Sequence, residues 1–266
     1  MRRIISLLLV FAFVFFSTTT TSNAQPVRIT ATSWLVADTD GNILQGNNTS
    51  QIRAIASITK LVTSMVVLDS RQSLDEHIYM KKFQKSLTRR EVMELALVHS
   101  DNQAADALCQ NYRFGYTACI HAMNIKMNEV GMHNTRFYDA TGLSHSNVST
   151  AEDLIKLVQV SHHYPEIIQA VQKGSVSVPA VVKVKHKKKK KKITEIKSVF
   201  LTFVNTNPLV RTGAPVTVSK TGFNNASGGC LVMQMSTALG ERIVVVLGSR
   251  NTRTRFPEAE AIANKI

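Results

Sequence analysis

The feature that most constrains the fold is an apolar segment from residue 61 to residue 68, which directly follows a serine and a lysine. Its apolar side chains fall on nearly every side of a helix: Leu61, Val62, Met65, Val66 and Leu68. A helix that is apolar all round is stable in water only when the rest of a domain surrounds it. The sequence therefore predicts a buried central helix that runs from about Ser57 to Asp69.

The serine and the lysine at the head of this helix form a candidate catalytic pair. Ser57 and Lys60 are three residues apart, so they share one helix face about one turn apart. A serine hydroxyl is a weak nucleophile unless a base lies close to it. A lysine can act as that base when burial or a neighbouring cation lowers its pKa. The same spacing occurs by chance on many solvated helices, so this pair alone does not establish a function.

Two further motifs give the pair a context. Ser100-Asp101-Asn102 follows a predicted helix from Thr88 to His99, and Lys220-Thr221-Gly222 lies in a predicted strand that begins at Val216. The three motifs in this order are those of serine β-lactamases and penicillin-binding proteins. With them, the chain after its first 24 residues resembles the low-molecular-mass penicillin-binding proteins, which are serine D-alanyl-D-alanine peptidases. Two shorter stretches add to the likeness, D-A-T-G-L at 139–143 and N-T-N-P-L at 205–209; the second resembles the endopeptidase-type members.

This resemblance implies an α/β (α+β) fold of the β-lactamase and transpeptidase type. Such a domain has a five-stranded antiparallel sheet flanked by helices, with a mostly helical subdomain. The sequence offers the parts in a matching order. A hairpin over residues 33–36 and 43–45 precedes a helical middle, and strands at 216–220, 231–235 and 243–247 precede a last helix at 256–266.

The resemblance also implies a catalytic role for three residues. Ser57 would attack the carbonyl of a D-alanyl peptide bond and form an ester, which water then hydrolyses. Lys60 would be the base for this attack. Ser100 would pass a proton between Lys60 and the leaving amine.

Five other residues are implied to bind the substrate. Asn102 would hydrogen-bond the substrate backbone. Lys220 would hold Lys60 neutral and attract the substrate carboxylate, and Thr221 would donate to the same carboxylate. Gly222 would let the substrate pair with the strand, and the N–H groups of Phe223 and of the nucleophile would form an oxyanion hole.

The first 24 residues are typical of a secretory signal peptide. Arg2 and Arg3 precede an apolar segment, Ile4 to Phe16, that is short for a membrane span, and cleavage is expected after Ala24. An uncleaved membrane anchor is the alternative. We therefore expect a peptidase domain over residues 25–266, located in the periplasm without a stable membrane anchor.

A run of lysines supplies much of the net charge of +14. Lys183, Lys185 and Lys187–Lys192 are expected to form a solvated hairpin loop, or to attract anionic polymers of the cell envelope. Nucleic acid is not an expected partner, because the chain has a secretion signal and the run has no aromatic residues for base stacking.

The cysteines and histidines indicate no metal or other cofactor. Cys109 and Cys119 could pair in an oxidising compartment, whereas Cys230 lies in a predicted core strand and is expected to be buried. The eight histidines show no metal-binding spacing.

Other functions remain open at this stage. A class A β-lactamase shares the three motifs but also resembles its relatives in an E-x-x-L-N loop, which neither Glu152 nor Glu166 begins. A non-catalytic binder of the cell envelope is a second alternative. Among the peptidases, the short C-terminal region favours an endopeptidase that cuts peptidoglycan cross-links over a carboxypeptidase that trims terminal D-alanine. β-Lactam antibiotics are the expected covalent inhibitors in either case.

Overall fold

A computed structural model describes residues 27–188 and 191–264, without the side chains of residues 185–194. The predicted signal peptide lies outside the described residues. The strands, in chain order, are β1 (Ser33–Ala37), β2 (Ile43–Asn47), β3 (Arg53–Ala54), β4 (His77–Met80), β5 (Lys85–Thr88), β6 (Val148–Ser149), β7 (Ser175–Lys188), β8 (Lys191–Val204), β9 (Val216–Asn224), β10 (Gly228–Thr237) and β11 (Gly240–Ser249). The helices are α1 (Thr59–Asp69), α2 (Arg89–Val98), α3 (Asn102–Gln110), α4 (Gly115–Glu129), α5 (Ala151–Ser161), α6 (Pro165–Val171), α7 (Pro208–Arg211) and α8 (Arg255–Ala263).

The central sheet has five strands in the order β2-β1-β11-β10-β9, and all neighbours are antiparallel. This confirms the predicted fold class. Side chains alternate between the two faces of the sheet, so successive residues enter different cores. Leu35 packs in the large core with α1, whereas Trp34 and Val36 pack in a smaller core with Ile262 of α8. The sheet is therefore covered on both faces, which explains why every residue of β1 is buried.

The central helix is buried as predicted, but it begins later than expected. Residues Thr59 to Val67 of α1 are all buried. A separate 3-10 turn, Ala56–Ile58, precedes the helix and carries Ser57. Ala56 has a φ of 46°, in the left-handed region, so an α-helix cannot continue backwards through it. The nucleophile candidate therefore stands on a turn rather than on the helix itself.

A disulfide ties two helices of the helical region together. Cys109 at the end of α3 is bonded to Cys119 in α4, with 5.4 Å between their Cα atoms. Cys230 is a buried free cysteine in β10, as expected. Helix α4 begins at Gly115.

The described part of the lysine-rich stretch, up to residue 188 and from residue 191, is strand where we predicted a loop. Strands β7 and β8 pair from Ser175↔Val204 as far as Lys188↔Lys191. The physical reason lies at the base of the hairpin, where Val176, Val178 and Ala180 alternate inward and are buried.

Within the described residues, no helix is both long enough and apolar enough to cross a bilayer. In the same part of the chain, no group of His, Cys, Asp and Glu side chains is placed to hold a metal ion.

Candidate active site

Lys60 holds the nucleophile candidate through a direct hydrogen bond. Its Nζ lies 2.7 Å from Ser57 Oγ. The same nitrogen lies 2.8 Å from Asn102 Oδ1 and 2.6 Å from the carbonyl oxygen of Thr141. A neutral amine has two hydrogens and one lone pair. Because Asn102 Oδ1 and the Thr141 carbonyl can only accept, they take both hydrogens, and the lone pair of a neutral Lys60 faces the serine hydroxyl.

Burial prepares Lys60 to be that neutral amine. Its side chain has no exposed surface. Burial lowers the pKa of Lys60 to about 7, although the carboxylates of Asp139 and Asp101 oppose this change. A large share of the molecules therefore has a neutral Lys60 at neutral pH. A base whose pKa lies near the working pH is the most effective one.

A short loop places the Thr141 carbonyl on Lys60. The carboxylate of Asp139 accepts from the backbone N–H groups of Thr141, Gly142 and Ser144, each at 2.6 Å. Burial raises the pKa of Asp139, but these N–H donors lower it by more. The pKa of Asp139 therefore lies below its ordinary value. The carboxylate thus stays charged and curls the loop around itself. The sequence identified this D-x-T-G-L stretch only as a likeness and gave no role for it.

Two glycines let the loop and the sheet approach the turn that carries the nucleophile. A Cβ on Gly142, which has a φ of +81°, would lie 1.9 Å from the carbonyl oxygen of Ala56. A Cβ on Gly222 would lie 2.7 Å from the carbonyl oxygen of Ile55. No side chain fits at either distance, so both positions need glycine. Gly222 thus lets β9 approach the 3-10 turn, and pairing of the substrate with this strand stays a prediction.

Ser100 lies in the same crevice, but its partner differs from the one expected. Its Oγ is 2.9 Å from Nζ of Lys220, not bonded to Lys60. Ser100 has a φ of 60°, in the left-handed region, and helix α3 starts two residues later. Asp101 supplies that start, because its carboxylate accepts from the N–H of Ala104 at 2.9 Å and caps α3.

Lys220 forms a second buried lysine site on strand β9. Besides Ser100, its Nζ donates to the carbonyl oxygen of Thr221 at 3.0 Å. Burial lowers the pKa of Lys220 well below its ordinary value, and the nearby cations Lys60 and Arg255 lower it further. Thr221 Oγ1 lies 2.7 Å from Thr206 Oγ1, which brings a second hydroxyl to this end of the crevice.

Arg255 adds a cation that the sequence did not indicate. Its Nη1 donates to the carbonyl oxygen of Gly222 at 2.5 Å, so helix α8 holds the end of the third motif. Burial lowers the pKa of Arg255 to about 10, which still leaves it charged at neutral pH. Arg255 stands outside every motif, and its sequence neighbours gave no signal of this contact.

The crevice between these groups has a volume of about 260 Å³. It is lined by Ser57, Ser100, Asn102, Thr206, Thr221, Gly222, Phe223 and Arg255. The structure thus brings together all eight site residues that the sequence predicted, with Lys60 and Lys220 buried behind the lining. Thr206 and Arg255 are the lining residues that the sequence reasoning missed. A nucleophile, a base and a positively charged end in one small crevice are suited to acyl transfer on a substrate that carries a carboxylate.

Comparison with known proteins finds a matching family and similar sequences. The family model described as D-alanyl-D-alanine carboxypeptidase, peptidase family S11, matches residues 18–251. The D-alanyl-D-alanine endopeptidase of Escherichia coli is 36% identical over 262 residues, which cover 91% of this chain and 78% of the relative. The endopeptidase of the same name from Pseudomonas aeruginosa is 34% identical, with 97% of this chain and 86% of the relative covered.

Solved structures show the same fold. The DD-transpeptidase of Streptomyces K15 superposes with a TM-score of 0.77 at 24% identity, covering 89% of this chain and 97% of that one. Penicillin-binding protein D2 of Listeria monocytogenes, in its ampicillin-bound form, gives 0.72 at 23% identity, covering 88% and 96%. The chain belongs to the D-alanyl-D-alanine carboxypeptidase family S11 and is a serine-type hydrolase of that family.

Proposed function

We propose that this chain is a periplasmic peptidase that cleaves D-alanyl peptide bonds of peptidoglycan through an acyl-enzyme on Ser57, and that β-lactams acylate the same serine. The observation that carries the proposal is the contact between Lys60 Nζ and Ser57 Oγ, with both hydrogens of a neutral Lys60 already assigned to other acceptors. The periplasmic location rests on the signal-peptide pattern in the sequence.

The first step is attack by Ser57. Its oxygen forms a bond to the carbonyl carbon while its proton passes to Lys60. Negative charge develops on the carbonyl oxygen, where the N–H groups of Ser57 and Phe223 are our proposed donors. One such donor typically contributes about 3 kcal/mol to lowering the barrier.

The second step breaks the bond to the leaving amine. Ser100 remains our proposed relay: its hydroxyl turns from its contact with Lys220 towards Lys60, gives its hydrogen to the leaving nitrogen and takes one from the ammonium group of Lys60. The net result moves the proton of Ser57 to the amine and returns Lys60 to its neutral form. Water then attacks the ester, with Lys60 again as the base, and releases the acid.

The far end of the crevice selects the leaving group. Lys220, Thr221 and Arg255 offer two cations and a hydroxyl, which suit the carboxylate of a terminal D-amino acid. A carboxylate here also favours the charged form of Lys220, and a charged Lys220 disfavours a second charge on Lys60. Substrate binding therefore supports the neutral state that the reaction needs. Asn102 would keep its amide N–H groups for the substrate backbone, because its oxygen is used by Lys60.

Labelled penicillin tests the acyl-enzyme directly. The wild-type protein should bind the label covalently, and Ser57→Ala should abolish it, since loss of a catalytic serine costs on the order of 10⁶-fold in rate. Ser64→Ala is the matched control, because that hydroxyl bonds only the carbonyl oxygen of Lys60 within the helix. Label that persists on Ser57→Ala, at a melting temperature equal to that of the wild type, would overturn the proposal.

Within this function we propose cleavage of peptide cross-links. The names of the two bacterial relatives, both endopeptidases, favour cleavage of peptide cross-links over trimming of terminal D-alanine. Digestion of cross-linked and uncross-linked muropeptides, followed by mass analysis, should show a faster loss of cross-linked dimers.

A β-lactamase activity is disfavoured by the position of the glutamates. Glu152 bonds Thr49 and lines a different cleft, and no glutamate lines the crevice among the described residues. Deacylation should therefore be slow. Turnover of nitrocefin at many cycles per second would favour the β-lactamase alternative instead.

A further inference from the structure

A third lysine, Lys82, reaches the motif that carries Ser100 and Asn102 from outside the crevice. Its Nζ lies 2.5 Å from Oδ2 of Asp101, the middle residue of that motif. The residues that line the crevice include Ser100 and Asn102, but neither Asp101 nor Lys82. The ion pair therefore lies behind the lining, where it can act on the site without touching a substrate.

The carboxylate of Asp101 depends on this contact because it is buried. Its side chain is 5% exposed. One oxygen accepts from the N–H of Ala104 and caps α3, and the other accepts from Lys82. Without Lys82, a buried carboxylate oxygen would lose its ionic partner, which is strongly unfavourable. The motif would then shift to bring that oxygen into water.

Asp101 lies between the two residues that contact the buried lysines of the site. Ser100 precedes it and contacts Nζ of Lys220 at 2.9 Å. Asn102 follows it and contacts Nζ of Lys60 at 2.8 Å. The φ of 60° at Ser100 is a conformation that persists only where the surrounding structure holds it. A shift of Asp101 would therefore disturb both contacts at once.

The position of Lys82 is fixed by the packing of its neighbours. It lies in the turn between β4 and β5, where the N–H of Phe83 donates to the carbonyl oxygen of Met80 at 3.0 Å. The ring of Phe83 is buried. Nζ of Lys82 lies 5.4 Å from the centre of that ring and 5.3 Å from the centre of the Phe203 ring, so it also gains a cation–π attraction. Most exposed ion pairs contribute little because their side chains stay free to move, whereas this ammonium group is already held in place.

We propose that Lys82 is a positioning residue of this site: its ion pair with Asp101 holds Ser100 and Asn102 in the geometry that acylation requires. The inference rests on the proposed function, in which Ser100 acts on the leaving amine and Asn102 on the substrate backbone. It adds a residue that belongs to none of the three motifs and lies 19 positions from Asp101.

The ion pair also affects the charge around the base. Among the described residues, the charged groups that face Lys60 are Asp101 at the start of α3, Asp139 in the following loop and Lys220 on β9. Both carboxylates raise the pKa of Lys60, against the effect of burial. Lys82 is the cation paired with Asp101. Its removal leaves the field of that carboxylate unopposed, so the pKa of Lys60 should rise.

Acylation of Lys82→Met by labelled penicillin, followed from pH 5 to 9 and normalised to folded protein, tests both effects. We expect the plateau rate to fall roughly tenfold, less than the hundredfold that follows a displacement of about 1 Å. The midpoint should move up by roughly half a pH unit, less than the shift caused by a charge in direct contact. A loss of stability alone would change neither value. A plateau equal to that of the wild type, or an unmoved midpoint, would overturn the inference.

Two matched variants separate the position of the charge from a general loss of an ion pair. Lys82→Arg keeps the cation and should keep the wild-type midpoint, with most of the rate restored. Lys173 forms an ion pair with Glu94 at 2.7 Å, and its side chain is 43% exposed, against 39% for Lys82. Lys173→Met should therefore keep both the plateau and the midpoint. Equal changes in Lys82→Met and Lys173→Met would contradict the proposed role.

Asp101→Asn decides whether Lys82 acts through Asp101. Asparagine keeps the cap on α3 but carries no charge. In that background Lys82→Met should change the plateau rate much less than in the wild type, because the pair no longer exists. The same fold-change in both backgrounds would overturn the inference.

Labelling of the wild-type protein separates this inference from the proposed function. A wild-type protein that takes no label contradicts the proposed function, and this inference with it. A wild-type protein that takes the label, with Lys82→Met equal to it in plateau and midpoint, contradicts this inference alone.

Discussion

Two buried lysines define the two ends of the crevice, and they make similar contacts in different electrostatic surroundings. Lys60, on α1, contacts the hydroxyl of Ser57 and the carbonyl oxygen of Thr141. Lys220, on β9, contacts the hydroxyl of Ser100 and the carbonyl oxygen of Thr221. Both side chains are almost completely buried.

The charges around the two lysines separate their roles. Burial lowers the pKa of both, but carboxylates oppose the effect at Lys60, whereas the cations Lys60 and Arg255 add to it at Lys220. An empty crevice therefore disfavours a charge on Lys220, and a substrate carboxylate restores it. In the proposed mechanism the helix end supplies the base and the strand end recognises charge, although each uses a lysine bonded to a serine.

Among the variants that test this comparison, replacement of Lys60 should have the largest effect on the rate of acylation. Lys60→Met removes the base but fills a similar volume, so the rate of acylation by penicillin should fall by about 10⁴-fold, the upper range for general-base catalysis. Lys126→Met, at a partly exposed lysine paired with Asp69, is the matched control. Stopped-flow acylation measures both. A rate within tenfold of the wild type would show that Lys60 is not the base.

The second-largest effect on acylation is expected at Gly142, which packs against the turn that carries Ser57. Gly142→Ala should shift the peptide group before Ser57 and reduce acylation by about 10²-fold, as small misplacements of reacting groups do. The Cβ would lie 1.9 Å from the Ala56 oxygen. Gly213→Ala separates this clash from backbone strain, since Gly213 has a φ of +77° but no atom within 4 Å of its Cβ. The control should lose only about 1 to 2 kcal/mol of stability, with acylation unchanged. Equal losses of acylation in both variants would contradict the clash.

Lys220→Met tests the charge-recognition end. The decrease in kcat/KM should depend on the substrate. For a peptide that ends in a free carboxylate we expect a decrease of roughly 10- to 100-fold, and for the corresponding C-terminal amide a smaller decrease. The reason is that only the carboxylate gains a charged hydrogen bond. A similar loss on both substrates would mean that Lys220 acts on the reaction rather than on recognition.

The smallest expected effect is a shift in pH dependence. Acylation should rise with pH and level off above about 7, where Lys60 is neutral, because the protonated amine cannot accept the proton of Ser57. The carboxylate of Asp139 raises the pKa of Lys60, so Asp139→Asn should move the midpoint to lower pH. A rate–pH profile from pH 5 to 9 measures the shift. A midpoint that moves upward would contradict the assignment of Lys60 as the titrating group.

The sequence predicted those parts of the site that local motifs carry. Ser57, Lys60, Asn102 and Lys220 belong to short patterns, the buried central helix follows from its apolar side chains, and the five-stranded sheet was implied by the family resemblance. The sequence could not predict the role of Thr141, because this residue contributes a backbone carbonyl that every residue has. Arg255 was missed for a related reason, since its contact with Gly222 joins positions 33 residues apart and depends on the packing of the last helix.

The ends of the helices and strands were predicted less accurately than their presence and type. The turn at Ala56–Ile58 replaces the first residues of the predicted helix because Gly142 and Gly222 press against it, and neither contact is visible in local sequence. In the described part of the lysine-rich stretch, regular structure extends further than predicted. Its charge indicated a loop, but the alternation of buried residues at the base of the hairpin extends the strand pairing outward.

The earliest and latest parts of the described chain meet across the sheet. Thr30 donates its N–H to Glu258 at 2.9 Å, and β1 is paired with β11. A nascent polypeptide that has not yet extended past residue 255 has neither the guanidinium on Gly222 nor the last helix. Penicillin should therefore capture full-length chains and not nascent chains that end before residue 255.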